Sequence, residues 1–137
     1  MKKQHYLAIF FLVFMLAVVY KVTSSSLPSS AQPLELLEEA IDNEVPVWLL
    51  FHSNTCEPCI EMKAVFNSLA PEYHGEIAFI PVLVSDSANQ DLIRSYEIRY
   101  IPTNVLVDRS GDVESLWVGV KTQSEMIDIL DSLSGGE

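Results

Sequence analysis

Two cysteines, Cys56 and Cys59, lie three positions apart where a continuous apolar run gives way to an amphipathic pattern. The apolar run covers residues 45–51 and is bounded by polar residues, which is typical of a strand buried on both faces of a sheet. After the cysteines, apolar side chains recur at helical spacing from Met62 to Leu69. This order predicts an α/β domain with a C-x-x-C motif at a helix N-terminus.

The remaining pattern predicts helices and strands in the order αβαβαββα. An amphipathic first helix starts near Pro33, whose fixed φ suits a first helical turn. Pro71 should kink or end the helix that carries the cysteines. Pro81 lies within the second apolar strand and predicts an irregular or bulged point there. The later elements are a short helix at 91–96, strands at 103–108 and 113–118 joined by a hairpin turn at 109–112, and a last helix after a capping box at 122–125.

These elements imply an α/β fold with a central mixed β-sheet flanked by helices. Strands that alternate with helices indicate a parallel part of the sheet, and the hairpin adds an antiparallel part. We expect residues 33–137 to form one small domain, which is long enough for a single core. Residues 23–32 are rich in Ser and Pro and are predicted to be a linker.

The first 22 residues are predicted to be a signal peptide or an N-terminal membrane anchor. A basic start with Lys2 and Lys3 precedes residues 6–20, which carry no charge and no helix breaker. As a helix, residues 6–20 span roughly 23 Å, shorter than a bilayer core unless a snorkelling Lys21 extends them. Cleavage and retention therefore both stay open, and in either case the positive-inside rule places the rest of the chain outside the cytoplasm.

The charge balance excludes some partners. The chain has 8 Lys and Arg residues against 19 Asp and Glu residues, and its net charge is −11. Such a surface repels the phosphates of nucleic acids and anionic lipids. We therefore expect no nucleic-acid binding and membrane contact only through the N-terminal segment, and we expect the protein to be a monomer.

The position of the cysteines predicts redox chemistry. At a helix N-terminus, Cys56 meets unpaired N–H groups and the positive end of the helix dipole, which stabilise a thiolate. Cys56 is predicted to be the attacking nucleophile and Cys59 the resolving thiol that closes the disulfide. A static structural disulfide, a metal site and a pair of inert buried thiols are the alternatives. The small loop would restrain the unfolded chain little, and C-x-x-C with His52 and a distant His74 makes no recognisable zinc set.

Four stretches occur in the order found in one known family. They are Leu49-Leu50-Phe51 running into Cys56-Glu57-Pro58-Cys59, Ala70-Pro71-Glu72-Tyr73-His74-Gly75, the stretch from Tyr96 to Thr103, and Val118-Gly119. With these motifs the chain resembles the thioredoxin family over residues 33–133. The resemblance implies a thioredoxin-like fold and makes Pro102 the match of a cis proline that faces the active-site disulfide. Thr55, Pro58, Tyr100 and Ile101 are expected to line a substrate groove beside it.

The chain also departs from the family pattern. Thr55 and Glu57 stand where thioredoxins typically have Trp before and Gly after the first cysteine, and Leu50 replaces a buried Asp that assists proton removal from the second cysteine. We hypothesise that Glu57 takes over part of this proton handling. Its carboxylate should also raise the pKa of both thiols by like-charge repulsion, which favours a reductant over an oxidant.

The predicted function is that of an extracytoplasmic thiol–disulfide oxidoreductase that reduces protein disulfides through its C-x-x-C dithiol. Re-reduction would require a membrane electron-transfer partner, as in similar exported thioredoxins. A non-catalytic thioredoxin-fold binding module with a permanent disulfide and a disulfide oxidase or isomerase are the alternatives. The sequence contains no flavin, nucleotide or metal motif, so no cofactor is expected. We interpret His52, Trp48 and Trp117 as packing residues.

Overall fold

Residues 32–135 are described by a computed structural model. The predicted signal peptide or anchor, and all of the predicted linker except Gln32, lie outside the described residues. No helix within residues 32–135 is long and apolar enough to cross a membrane. The elements in chain order are α1 (Pro33–Asp42), β1 (Val47–His52), α2 (Glu57–Leu69), β2 (Ala78–Leu83), a 3₁₀ turn (Ser87–Asn89), α3 (Gln90–Ser95), β3 (Thr103–Val107), β4 (Val113–Val118) and α4 (Gln123–Ser134).

The four strands form one mixed sheet in the order β2-β1-β3-β4. β1 pairs with β2 in parallel and with β3 in antiparallel orientation, and β4 pairs antiparallel with β3. Every residue of β1 is buried, as expected for an inner strand covered on both faces. The α/β fold with a mixed sheet and the predicted order of elements are confirmed.

The alternation of side chains along β1 divides the core into two layers. Trp48 and Leu50 lie on the face covered by α2 and α4, where they join Met62 and Met126. Val47, Leu49 and Phe51 lie on the opposite face, where α1 and α3 contribute the remaining apolar side chains, including Leu37 and Leu92. The helix that carries the cysteines is therefore anchored on the Trp48 side of the sheet.

Local signals set the helix ends. α4 begins after Thr122, whose Oγ1 accepts a hydrogen bond from the Glu125 N–H (3.3 Å), while the Glu125 carboxylate accepts one from the Thr122 N–H (2.8 Å). This confirms the predicted capping box. α2 ends at Leu69, two residues before Pro71, as predicted. Tyr73 lies in the turn after α2 and is tied to α4, because its hydroxyl donates to Asp131 Oδ1 at 2.6 Å.

The predicted irregularity at Pro81 was wrong. β2 pairs with β1 in unbroken register, with Leu50 opposite Pro81. Because β2 is an edge strand of the sheet formed by the described residues, the missing N–H of a proline can face outward without interrupting the ladder. The register shift lies instead between Leu106 and Val107, beside the β3–β4 hairpin.

Candidate functional site

The two cysteines lie on either side of the first turn of α2. Cys56 is the N-cap, with extended backbone (φ −98°, ψ 115°), and Glu57 is the first helical residue. The Cys56 carbonyl accepts the first intrahelical hydrogen bond, from the Ile60 N–H at 3.1 Å. Cys56 and Cys59 form a disulfide with a Cα–Cα distance of 5.2 Å. The unpaired N–H groups of the first turn of α2 therefore lie at the end of the helix that carries Cys56.

Cys56 and Cys59 differ in exposure. Cys56 is half-buried, whereas Cys59 is fully buried, with no accessible surface. An external thiol or disulfide therefore has access to Cys56 first. This asymmetry fits the predicted division into an attacking and a resolving cysteine, although no observation tests those roles and they stay predictions.

Three loops meet at the same end of the sheet. β1 and β3 run antiparallel with Phe51 opposite Thr103, so the loop that leaves β1 toward Cys56 lies beside the loop that enters β3. The peptide bond between Ile101 and Pro102 is cis and directly precedes Thr103. Val118, at the end of β4, also lies opposite Thr103, which brings the following loop to this place. Pro102 is thus at the end of the sheet where α2 begins, and its role facing the disulfide stays a prediction.

The predicted groove residues differ in exposure. Thr55 and Pro58 are exposed beside the cysteines. On the loop before β3, Tyr100 is 69% exposed, Ile101 is half-buried and Pro102 is buried. Thr55 and Pro58 flank Cys56 in the chain, and Tyr100 lies on the loop before β3 at the same end of the sheet, so these exposed side chains are available to a bound chain. Their role in substrate binding stays a prediction.

Glu57 and Leu50 differ sharply in their surroundings. Glu57 is exposed at the start of α2, where a carboxylate interacts favourably with the helix dipole. Leu50 has no accessible surface and belongs to the apolar layer beneath α2. No titratable side chain therefore occupies this position of β1, because the leucine side chain neither donates nor accepts a proton.

His52 is the last residue of β1 and is only 4% exposed. By strand alternation its side chain lies on the face of Trp48 and Leu50, beneath α2. Its Nδ1 is buried and has no hydrogen-bond partner among residues 32–135. Burial, and secondarily the positive charge of Lys63 on α2, lower the pKa of His52 below 6.5, with the nearby backbone of Ser53 opposing this. The buried position agrees with the interpretation of His52 as a packing residue.

We expect a His52→Phe variant to lose stability less steeply in acid than the parent. The folded-state pKa of His52 lies below its unfolded value of 6.5, so unfolding takes up a proton and acid favours the unfolded state. The stabilisation by neutral His52 is complete above pH 6.5 and is lost as the pH falls toward the folded-state pKa. One proton gives a slope difference of at most about 1.4 kcal/mol per pH unit.

Urea unfolding of both proteins between about pH 5 and pH 8 measures this difference, since a histidine titrates within that interval. Taking the difference between the two curves removes whatever is common to both proteins. Parallel curves would show that His52 titrates equally in the folded and unfolded states.

Asn104 was not singled out from the sequence, yet it joins the core to the loop beside Pro102. It has no accessible surface, and its side chain hydrogen-bonds to Trp48 Nε1 at 3.0 Å and to the Gly119 carbonyl at 3.1 Å. The signal that would have revealed it is an amide beside Thr103 at the start of a strand whose other residues are Val105, Leu106 and Val107. Such a residue must find hydrogen-bond partners when the strand is buried.

Together, the site and the fold define a class of protein: a mixed sheet between two helical layers, with a C-x-x-C pair at a helix N-terminus and a cis-proline loop at the same end. The sequence model of the family described as Thioredoxin matches residues 31–132. This chain belongs to the thioredoxin family. Membership, together with the Cys56–Cys59 pair, supports thiol–disulfide redox chemistry.

Individual relatives agree with this assignment. Mitochondrial thioredoxin of Mus musculus is 30% identical over 98 residues, which cover 72% of this chain and 57% of the mouse protein. Thioredoxin of Haemophilus influenzae is 28% identical over 91 residues, covering 66% of this chain and 82% of that protein. A solution structure of an uncharacterised thioredoxin-like protein from Clostridium perfringens aligns with a TM-score of 0.58 and 26% identity, covering 66% of this chain and 71% of that one. The chain thus spans little more than half of its mouse relative.

Proposed function

We propose that this protein is an extracytoplasmic thiol–disulfide oxidoreductase that reduces protein disulfides. The observation that carries the proposal is the unequal pair at the start of α2, where Cys56 is half-buried and Cys59 is fully buried. A reductase of this kind needs one accessible sulfur to meet the substrate and one protected sulfur to complete the reaction. The exposed Tyr100 and the neighbouring cis-proline loop supply a surface for the substrate chain.

The reaction proceeds in two exchanges. The Cys56 thiolate attacks one sulfur of a substrate disulfide, which forms a mixed disulfide and releases the other substrate sulfur as a thiolate that takes up a proton. Cys59 then loses its proton and attacks the Cys56 sulfur, releasing the second substrate thiolate. The substrate gains two electrons and two protons, and the protein ends with the Cys56–Cys59 disulfide present in this structure.

The same proposal places the domain outside the cytoplasm, because residues 1–22 have the pattern of an export signal or anchor. Outside the cytoplasm the disulfide would have to be reduced again by a membrane electron-transfer partner, which supplies two electrons per cycle. The carboxylate of Glu57, adjacent to Cys56, favours the disulfide over the thiolate and hence the reducing direction.

The test combines an activity with a potential. The full chain is assayed for dithiothreitol-driven reduction of insulin disulfides, and the Cys56/Cys59 pair is equilibrated with thiol–disulfide buffers. We expect acceleration of insulin precipitation and a reduction potential near the roughly −270 mV of thioredoxin. A potential near roughly −120 mV would indicate an oxidant. A pair that resists reduction would favour a non-catalytic binding module.

A Glu57→Gln variant is expected to lower the pKa of the Cys56 thiol and to make the reduction potential less negative. Removing the adjacent negative charge stabilises the thiolate and therefore the reduced form. Because Glu57 is exposed, solvent screens its charge, and we expect a shift on the order of 10 mV that shrinks in high salt. Thiolate absorbance against pH and buffer equilibration measure the two quantities.

The matched control is Glu61→Gln, which removes the same charge from an exposed position one turn further along α2. Its effect on the Cys56 pKa should be smaller, because the charge lies further from the sulfur. Equal values for the parent and Glu57→Gln would dismiss a role for Glu57 in tuning the pair.

A further inference from the structure

Three hydrogen bonds in series connect the buried core to the loop that precedes β3. The Trp48 indole N–H donates to Asn104 Oδ1 at 3.0 Å, and Asn104 Nδ2 donates to the Gly119 carbonyl at 3.1 Å. The Gly119 N–H in turn donates to the Pro102 carbonyl at 2.8 Å. The series therefore runs from the centre of the sheet to the cis proline at the candidate site.

The first bond fixes the orientation of the Asn104 amide. An indole N–H is a donor only, so the oxygen of the amide must face Trp48 and the NH₂ group must face the other way, toward Gly119. Trp48 and Asn104 have no accessible surface, so water does not compete for either group. A buried amide with both ends satisfied has one orientation, and reversing it would leave two donors facing each other.

The second and third bonds hold the backbone on both sides of Gly119. Gly119 has φ +105°, in a region that side chains disfavour, so its conformation depends on glycine at this position. Its carbonyl is held by Asn104 and its N–H by the Pro102 carbonyl. The Gly119–Pro102 hydrogen bond thus joins the loop after β4 to the loop before β3, and Asn104 holds the Gly119 peptide from its other side.

Asn104 also lies directly opposite Leu50 in the β1–β3 register, on the sheet face covered by α2. The polar group at this level of the sheet is therefore an amide on β3 rather than a carboxylate on β1. Because an amide does not titrate, its contribution is to geometry and not to proton transfer.

We propose that Asn104 is a positioning residue, which holds the backbone of Pro102 and Gly119 in the arrangement that receives a substrate chain. The inference rests on the proposed function, because it assigns the means by which that site binds a protein disulfide. Asn104 is buried beneath the loops and acts on substrate only through them. Its loss should impair binding of a protein substrate and leave the chemistry of the cysteines unchanged.

The test separates binding from reactivity in Asn104→Leu. We expect KM for insulin reduction to rise about tenfold, because the Gly119 carbonyl loses its buried donor. The reduction potential and the rate of reaction with a small activated disulfide, Ellman's reagent, should match the parent. Leu106→Ala is the control for lost stability, since Leu106 is a buried residue of the same strand and packs on the same face. It should destabilise the protein and leave KM unchanged.

A second variant distinguishes positioning from stability. In Trp48→Phe/Asn104→Leu both polar partners are replaced by apolar groups, so the double variant should unfold at higher urea than Asn104→Leu alone. Its KM should nevertheless remain raised, because the Gly119 carbonyl still lacks its donor. The Gly119 amide should also exchange its hydrogen faster than in the parent in both variants. If Asn104→Leu does not fold, the double variant alone provides these readings.

The outcomes separate the inference from the proposed function. If the parent reduces insulin but KM in the Asn104 variants rises no more than in Leu106→Ala, Asn104 is merely structural and the inference alone is overturned. If KM recovers with stability in the double variant, the same conclusion holds. If the parent itself fails to reduce insulin, the proposed function is overturned and the inference falls with it.

Discussion

Replacing Cys56 by serine is expected to reduce insulin-disulfide reduction to the rate measured without protein. Cys56 is the half-buried member of the pair, whereas Cys59 has no accessible surface. A serine hydroxyl is not a nucleophile toward sulfur at neutral pH, and the remaining Cys59 does not reach a substrate disulfide. The turbidity of insulin in dithiothreitol, followed against time for equal concentrations of parent and variant, measures the loss.

The matched variant is Cys59→Ser, which keeps the accessible sulfur. It should also turn over poorly, but it should accumulate a mixed disulfide with substrate that is visible on a non-reducing gel. Cys56→Ser should form none. Activity retained in Cys56→Ser, or a mixed disulfide formed through Cys59 instead, would reverse the assigned roles.

Trp48→Ala is expected to lower the free energy of unfolding by about 3–5 kcal/mol. The Trp48 ring has no accessible surface and packs against Phe66 and Phe79, with ring centroids at 4.8 and 5.2 Å. Its removal leaves a large cavity between the sheet and α2 and deprives Asn104 Oδ1 of its donor. Since small domains are stable by only about 5–15 kcal/mol, urea unfolding should show a much lower midpoint.

Two variants calibrate this loss. Trp48→Phe keeps an aromatic ring against Phe66 and Phe79 and should cost clearly less than Trp48→Ala. Trp117→Ala removes a half-buried ring that contacts Lys121, with the ammonium 5.3 Å from the ring centroid, and should also cost less. Equal losses in all three would mean that burial of Trp48 contributes nothing beyond that of an ordinary partly exposed aromatic residue.

Much of the fold follows from local signals that are visible in the sequence. The buried strand β1, the capping box at Thr122 and the end of α2 before Pro71 each depend on residues close together along the chain. Pro81 was misread because its effect depends on which strand lies beside it, and strand order is a property of the whole sheet. An edge strand accommodates a proline that an inner strand would not.

Some residues of the candidate site could be predicted from the sequence, whereas the contacts of others could not. Cys56 and Cys59 belong to one short motif, and Pro102 follows from the resemblance to thioredoxins, so these three residues could be predicted. The hydrogen bonds of Asn104 could not, because its partners Trp48 and Gly119 lie 56 and 15 residues away along the chain. Hydrogen bonds between such distant residues depend on strand register, which the pattern of apolar residues does not specify beyond alternation.

The unequal exposure of the two sulfurs determines the order in which partners are met. Cys59 is fully buried, so in a protein that works as proposed both the substrate and the reducing partner exchange electrons with the sulfur of Cys56. The oxidised substrate and the reducing partner must then occupy the same face of the molecule one after the other. The substrate and the reducing partner cannot bind at the same time, so turnover follows a double-displacement scheme. An excess of the substrate then slows the reaction with the reducing partner, and an excess of the reducing partner slows the reaction with the substrate.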